Sequence, residues 1–448
     1  MPVLSAVHHC RRRAACSRIA CSIVAMSSPR FSLKDILVST VNALPQKVKD
    51  SLPYLEPEKP TSAWRYPVST PYIHPHAKAS VVEAIENGLI SSATKPVRNF
   101  EEKLKSLFEL PTAKACSSGY TGLLLCLKAA NIGPNDEVIV PALTMIAVAN
   151  AVIDVGAKLV IADVAAEGDY NPSVEQYRER LSSRTRAIVV CHTYGIPADL
   201  DPIRRLCDDN RLVLIEDIAE AIGTTYKGRL VGRTGDFAAA SLYANKLITS
   251  GDGGFVLSKH ERWDDDGVLL HDRLQSYVNH GFVPEYHFMH LYRSGNYKMS
   301  GLEAAFVAPA VDDVWKVAER REEIASWYRE FLADLPDVVL MPTSKFGPDT
   351  PWVFGVEVES KEKRRSLRRV LAENGIETRD YFLPLHLQPP LLLHQRQRDS
   401  HYELPDLPNA ERLGRVGFYL PTHHYLQKSD VEFICNVIRR DRLKISGK

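Results

Sequence analysis

Between Asp136 and Ala244, short apolar runs alternate with helix-length stretches, and this alternation leaves the chain few folds to choose from. The runs are DEVIVP (136–141), AKLVIADV (157–164), TRAIVVCH (185–192), RLVLIED (211–217) and DFAAASLYA (236–244), and the segments between them include PIRRLCDDN (202–210). Runs this short, bounded by turn residues, read as strands rather than helices. Strands separated by helices imply a mostly parallel sheet covered on both faces. The expected class is therefore α/β, with reactive groups gathered at the carboxyl ends of the strands. Beyond Met299 the stretch LEAAFVAPAVDDVWKVAERREEIASWYREFL carries Val314, Val317, Ile324, Trp327 and Phe331 at helical spacing and leads into a second unit. The expected division is an N-terminal extension at 1–58, a large domain at 59–310 and a smaller C-terminal α+β domain at 311–448.

Residues 1–34 stand apart, with Arg11, Arg12, Arg13, Arg18, Arg30 and Lys34 and no acidic residue. That is the composition of a targeting peptide, and the alternative reading is a disordered leader. The stretch 35–58, with Pro45, Pro53 and Pro57, reads as a further lead-in outside the fold. The chain as a whole has 448 residues and a formal net charge of +1, which excludes the electrostatic signature of a nucleic-acid binder. No run of 18 apolar residues occurs, so no membrane span is expected. The eight cysteines contain no CxxC pair and read as reduced thiols, with no metal site expected. These features point to a cytoplasmic protein that works on small molecules. A mitochondrial or other organellar address is the alternative, through the basic extension.

Three elements of the sequence converge on one chemistry. LVLIEDIAEA places Glu216 and Asp217 where an apolar strand gives way to a turn. Lys246 follows 29 positions after Asp217, just past the next strand and before the glycine cluster of SGDGG. CSSGYTGLLLCLKAAN (116–131) reads as a Ser/Gly turn opening a helix, whose free amides suit an anion. An acid and a lysine at neighbouring strand ends, with a helix start beside them, are what pyridoxal phosphate needs: an amine for its aldehyde, a carboxylate for its ring nitrogen and amides for its phosphate. Taken singly, each residue has a plainer reading. Lys246 would be a solvated lysine, Asp217 a helix cap, Glu216 a salt-bridge partner, Asn296 a turn residue, Met145 core packing, and His192 and His386 satisfied structural histidines.

From about Tyr66 to Ile438 the chain resembles the DegT/DnrJ/EryC1/StrS family of sugar-nucleotide aminotransferases. The resemblance is carried in order by YPVSTPYI, GLISSATKPVRNFEEKL, SSGYTG, GPNDEVIVPALTMIAVANAV, YGIPADLD, IEDIAEAIGTTYKGRLVG, KLITSGDGG, GNYKMSGLEAA, GIETRDYFLPLHLQP and AERLGRVGFYLP. Its LISS, EDIAEAIG and PLHLQP wording is most similar to the perosamine synthase branch, which aminates C4 of a GDP-linked 4-keto-6-deoxymannose. The resemblance implies fold type I and pyridoxal 5'-phosphate as cofactor. It also implies glutamate and a keto sugar nucleotide as substrates, and a homodimer with shared active sites.

By this resemblance Lys246 is the Schiff-base lysine and Asp217 the partner of the ring nitrogen. Glu220 lies near the ring hydroxyl; Ser241, Ser118 and Gly119 hold the phosphate. Asn296 reaches the phosphate in the neighbouring subunit, and His386 lies near the sugar nucleotide. Three positions depart from the family pattern. Tyr120 replaces the threonine of the phosphate turn, with Thr121 adjacent. Met145 replaces the aromatic ring that stacks on the pyridine, and Lys298 replaces an arginine, exchanging a planar fork for a point charge. The alternative to catalysis is a cofactor-binding or sugar-nucleotide-binding regulatory module on the same fold.

Overall fold

The computed structural model describes residues 40–42, 44–51, 63–166, 168–264, 267–283, 286, 288–348, 350–399 and 401–445. All five sequence-predicted runs are strands. In chain order the strands are β1 (Thr112–Cys116), β2 (Glu137–Pro141), β3 (Lys158–Ala162), β4 (Thr185–Cys191) and β5 (Val213–Asp217). A small hairpin of β6 (Thr225–Tyr226) and β7 (Arg229–Leu230) follows, then β8 (Phe237–Ser241) and β9 (Gly254–Ser258). Seven of these form one sheet in the order β1-β9-β8-β5-β4-β2-β3. Its neighbours pair in parallel except at β9, which runs antiparallel to both β1 and β8. Parallel strands need long crossovers whereas antiparallel ones can return directly, and the chain comes straight back from β8 to β9 with no helix between them.

Within this sheet, β1 and β9 are the two strands that periodicity does not reveal. TAKAC carries a lysine in mid-strand, yet Lys114 is buried there because its Nζ meets Glu101 Oε1 at 2.8 Å. The same carboxylate accepts the Ala115 amide at 3.0 Å. GFVLS is masked by the glycines that precede it: Gly251 and Gly253 adopt φ of 91° and 121°, so a turn hides the start of a strand.

Helix Gly119–Ala129 lies almost wholly buried against the sheet, and helix Leu200–Asn210 covers the PIRRLCDDN segment. The segment after Met299 is not one helix. Helix Gly301–Val307 gives way to a 3-10 turn at Ala308–Val311, where Pro309 cannot continue an α-helix, and helix Val314–Leu332 follows. Val314, Val317 and Ile324 are buried as their spacing predicts; Trp327 and Phe331 are half-buried. A second, four-stranded antiparallel sheet has the order β10 (Val338–Leu340), β11 (Phe354–Val358), β13 (Gly417–Leu420), β12 (Arg379–Asp380), accompanied by helices Lys361–Glu373 and Lys428–Ile445.

The lead-in at 35–58 departs from expectation. Helix Gln46–Ser51 forms within it, and Leu44 and Val48, four residues apart, are buried against Leu387 and Leu392. That spacing puts both side chains on one side of the segment, which fills an apolar gap that Pro45 and the surrounding polar residues conceal in the sequence. The basic stretch 1–34 lies outside the described residues. Among the described residues no helix is long and apolar enough to cross a membrane.

Candidate active site

The carboxyl ends of β5 and β8 and the start of helix Gly119–Ala129 meet at one cavity of about 360 Å³. Eight of the sequence-predicted residues line it: Ser118, Gly119, Tyr120, Met145, Asp217, Glu220, Ser241 and Lys246. Side chains of consecutive strand residues point to opposite faces, so only one of the two acids ending β5 can reach the cavity. Asp217 does. Glu216 faces the other way and accepts the amides of Gly232 at 2.7 Å, Thr234 at 2.9 Å and Gly235 at 2.5 Å. It also pairs with His192 Nε2 at 3.1 Å. Because His192 Nδ1 accepts the Ala198 amide, Nε2 is the nitrogen that carries the proton to Glu216. Burial pushes the Glu216 carboxyl up, but His192 and the loop amides outweigh it and hold the group below its ordinary value.

Asp217 Oδ1 accepts the Ala219 amide at 2.9 Å. Burial raises its pKa, with that amide and Lys246 pulling the other way. Lys246 Nζ stands 3.8 Å from Glu220 Oε1 and 4.0 Å from the centroid of the Trp352 ring. Burial lowers the pKa of the lysine against the opposing pull of Glu220 and Asp217. Burial also raises that of Glu220 to about 7, although Lys246 and the Tyr194 amide counteract it. Both partners are thereby driven toward neutrality, which suits an amine that must act as a base.

At the far end of the cavity Ser118 caps the helix. Its Oγ accepts the Thr121 amide at 3.1 Å, and Thr121 Oγ1 accepts the Ser118 amide at 2.9 Å. The reciprocal cap uses the third amide of the helix and leaves the first two, at Gly119 and Tyr120, available to an anion. Thr121 therefore serves as a cap. Gly119 is required by contact: a Cβ there would stand 2.7 Å from Ser241 Cβ. The Tyr120 hydroxyl donates to Asp154, and Met145, at the N-cap of helix Ile146–Asp154, is about half exposed at the rim.

Two predicted residues lie elsewhere. Asn296 is exposed and bridges to Asn279, whose side chain accepts from Lys298 Nζ at 2.6 Å. His386 is buried, with Nε2 3.0 Å from Glu411 Oε1, and does not line the cavity. Conversely, Trp352, Arg379, Phe382 and Tyr419 line the cavity from the C-terminal part of the chain without having been singled out. Arg379 and Phe382 sit inside GIETRDYFLPLHLQP and Tyr419 inside AERLGRVGFYLP, so a signal existed for three of them. For Trp352 there was none, since its strand-edge segment carries no chemistry-bearing pattern.

A mostly parallel sheet broken by one antiparallel strand, with lysine, acid and helix start at its carboxyl edge, is consistent with a fold type I pyridoxal phosphate enzyme. The chain belongs to the DegT/DnrJ/EryC1/StrS aminotransferase family, whose sequence model matches residues 71–439. It is 33% identical over 371 residues to the GDP-perosamine synthase of Caulobacter vibrioides, covering 82% of this chain and 96% of that one. Its fold is similar to the aminotransferase TlmJ from Streptoalloteichus hindustanus, with TM-score 0.76, 25% identity, and coverage of 85% of this chain and 100% of that one. It is also similar in fold to the PLP-form of Spr1654 from Streptococcus pneumoniae, with TM-score 0.77, 23% identity, and coverage of 85% and 99%. The non-catalytic alternative finds no support in these relationships.

Proposed function

We propose that the chain moves an amino group from glutamate to C4 of GDP-4-keto-6-deoxymannose, giving GDP-perosamine and 2-oxoglutarate, with pyridoxal phosphate as cofactor. The observation that carries this reading is the gathering of Lys246, Asp217, Glu220, Ser241 and the Ser118–Gly119 helix start around one cavity, combined with the likeness to a GDP-perosamine synthase. These residues fit the cofactor. The unused amides of Gly119 and Tyr120, beside Ser241, suit a phosphate, and the close packing that only glycine permits at 119 shapes that end.

Pyridoxal phosphate, once bound, supplies an aldehyde that condenses with amines and a ring that accepts electrons. Asp217 would accept the ring N–H and keep it protonated. Lys246 would hold the cofactor through its aldehyde carbon and, once displaced by the donor, would move a proton from the donor's Cα to that carbon and, in the return half, from that carbon to the sugar carbon that receives nitrogen. Glu220 holds that amine within reach.

The working unit in this proposal is a homodimer in which Asn296, exposed in the single chain, reaches the site of the partner subunit. Mixed Lys246→Ala and Asn296→Ala chains should then recover cofactor retention after subunit exchange; retention equal to the average of the two homodimers rejects sharing. Glutamate-dependent turnover of GDP-, dTDP- and UDP-linked keto sugars tests the substrate. Preference for the GDP-linked 4-keto sugar is the expected result, and equal or better turnover of another nucleotide overturns that assignment.

A further inference from the structure

Lys246 stands between two unlike surfaces, a carboxylate 3.8 Å away and an indole face 4.0 Å away. The first distance exceeds that of a strong charge-assisted hydrogen bond, and the second is within the range of an effective cation–π contact. Three anchors hold the indole. Trp352 Nε1 donates to the carbonyl of Asn245, the residue before Lys246, at 2.7 Å. The Trp352 amide donates to Tyr194 O at 2.9 Å, and its carbonyl accepts from Arg321 Nη1 at 3.1 Å.

The opposite wall is tied to the same place. The Tyr194 amide donates to Glu220 Oε2 at 2.8 Å, so one residue braces both the ring and the carboxylate. Tyr194 is fully buried with φ of 58°, a conformation costly for a bulky residue. Gly195 follows with φ of 90°, and a Cβ there would stand 2.4 Å from Thr350 O and 2.7 Å from the Trp352 nitrogen. Strain and a missing side chain thus accompany the seating of Trp352.

We infer that Trp352 is a positioning residue for Lys246: its ring face and the Glu220 carboxylate form a cradle that keeps the lysine side chain, when protonated, within reach of the site. The inference rests on the reading of Lys246 as the cofactor-bearing amine. The two walls contribute differently. The Glu220 carboxyl, with a pKa of about 7, loses its charge readily near neutrality, whereas the indole ring has no group that titrates and attracts the lysine for as long as the lysine is protonated. The charged groups facing Lys246 are Glu220 and Asp217, and Trp352 adds a neutral surface that favours the cation.

The test measures the labelling rate of Lys246 by an amine-selective reagent in the full-length, cofactor-free chain, read by peptide mass from about pH 6 to pH 11, a span that brackets the ordinary lysine value. Trp352→Leu removes the ring, so more amine is neutral at a given pH. Labelling should run roughly three- to tenfold faster at the lower pH values, the factor a lost cation–π contact corresponds to, and converge on the wild-type rate at high pH. Trp352→Phe should restore most of the wild-type profile. Should the leucine variant not fold, Trp352→Met provides the same comparison. Rates unchanged at every pH, or raised equally at every pH as by simple access, overturn the inference. Because the readout involves no transamination, it stands apart from any failure of the proposed substrate.

Discussion

Glu216 and Asp217 are adjacent at the end of β5 yet serve opposite faces of the sheet: Glu216 is satisfied by three loop amides and His192, while Asp217 opens to the cavity that holds Lys246. One strand end thus carries one acid held by the loop and one that faces the cavity, and substitutions should separate them.

Asp217→Asn keeps the shape of the side chain and removes its charge. Turnover should fall by roughly two orders of magnitude or more, as when a proton-holding group is lost. Cofactor retention, measured by equilibrium dialysis, should weaken far less. Equal losses in both would make Asp217 a binding residue only.

Glu216→Gln should act on stability instead. An amide cannot accept from three N–H groups and His192 together, so the loop at 232–235 loses charge-assisted bonds. The expected cost is about 2 to 4 kcal/mol in urea unfolding, with cofactor affinity of the folded fraction near wild type. A loss below 1 kcal/mol would show that this buried carboxylate braces nothing.

Gly119→Ala introduces a Cβ 2.7 Å from Ser241 Cβ. The helix start and the end of β8 must then part, at a cost of about 1 to 3 kcal/mol, and the phosphate end of the cavity should distort. Cofactor retention should fall while Gly228→Ala, whose Cβ meets nothing within 4 Å but whose φ of 79° adds backbone strain, should lower stability and leave retention unchanged.

His423 and His424 predict a pH dependence away from the cavity. Neither ring has a hydrogen-bond partner among the described residues. Burial first, and then Arg321, lowers each from 6.5 to about 4. The unfolded chain takes up these two protons below pH 6.5 and the folded chain only near pH 4, so stability should be full above 6.5 and decline as pH falls toward 4. Glu220, raised to about 7, acts in the opposite sense across an overlapping range. Urea midpoints at pH 7 and pH 5 should therefore drop on acidification in the wild type and drop less in a His423→Phe/His424→Phe chain. The same drop in both would exclude the histidines as its source.

Much of this was legible in the sequence because short apolar runs report strands and the site lies at strand ends. The five runs became β2 to β5 and β8, and Lys246 and Asp217 came together as their spacing required. What escaped has a physical cause in each case. β1 was hidden by Lys114, a charge whose burial depends on Glu101 in the helix Lys95–Phe108 that packs beside it. β9 was hidden by the turn glycines before it. Helix Gln46–Ser51 depends on a pocket made by Leu387 and Leu392, more than 300 residues away in the chain. Trp352 reaches the cavity only because Gly195 lets two loops approach closely, a tertiary fact without local trace.

In the proposed reaction Lys246 is required to move nitrogen from an amino acid to a keto sugar. This requirement is tested most directly by incubating the chain with pyridoxal phosphate, ¹⁵N-glutamate and GDP-4-keto-6-deoxymannose, and weighing the sugar nucleotide by mass spectrometry. The account predicts one ¹⁵N in the product for each 2-oxoglutarate formed by the wild type, and none from a folded Lys246→Ala chain. Label transfer by Lys246→Ala at the wild-type rate, or no label transfer by the wild type to any keto sugar nucleotide, would contradict it.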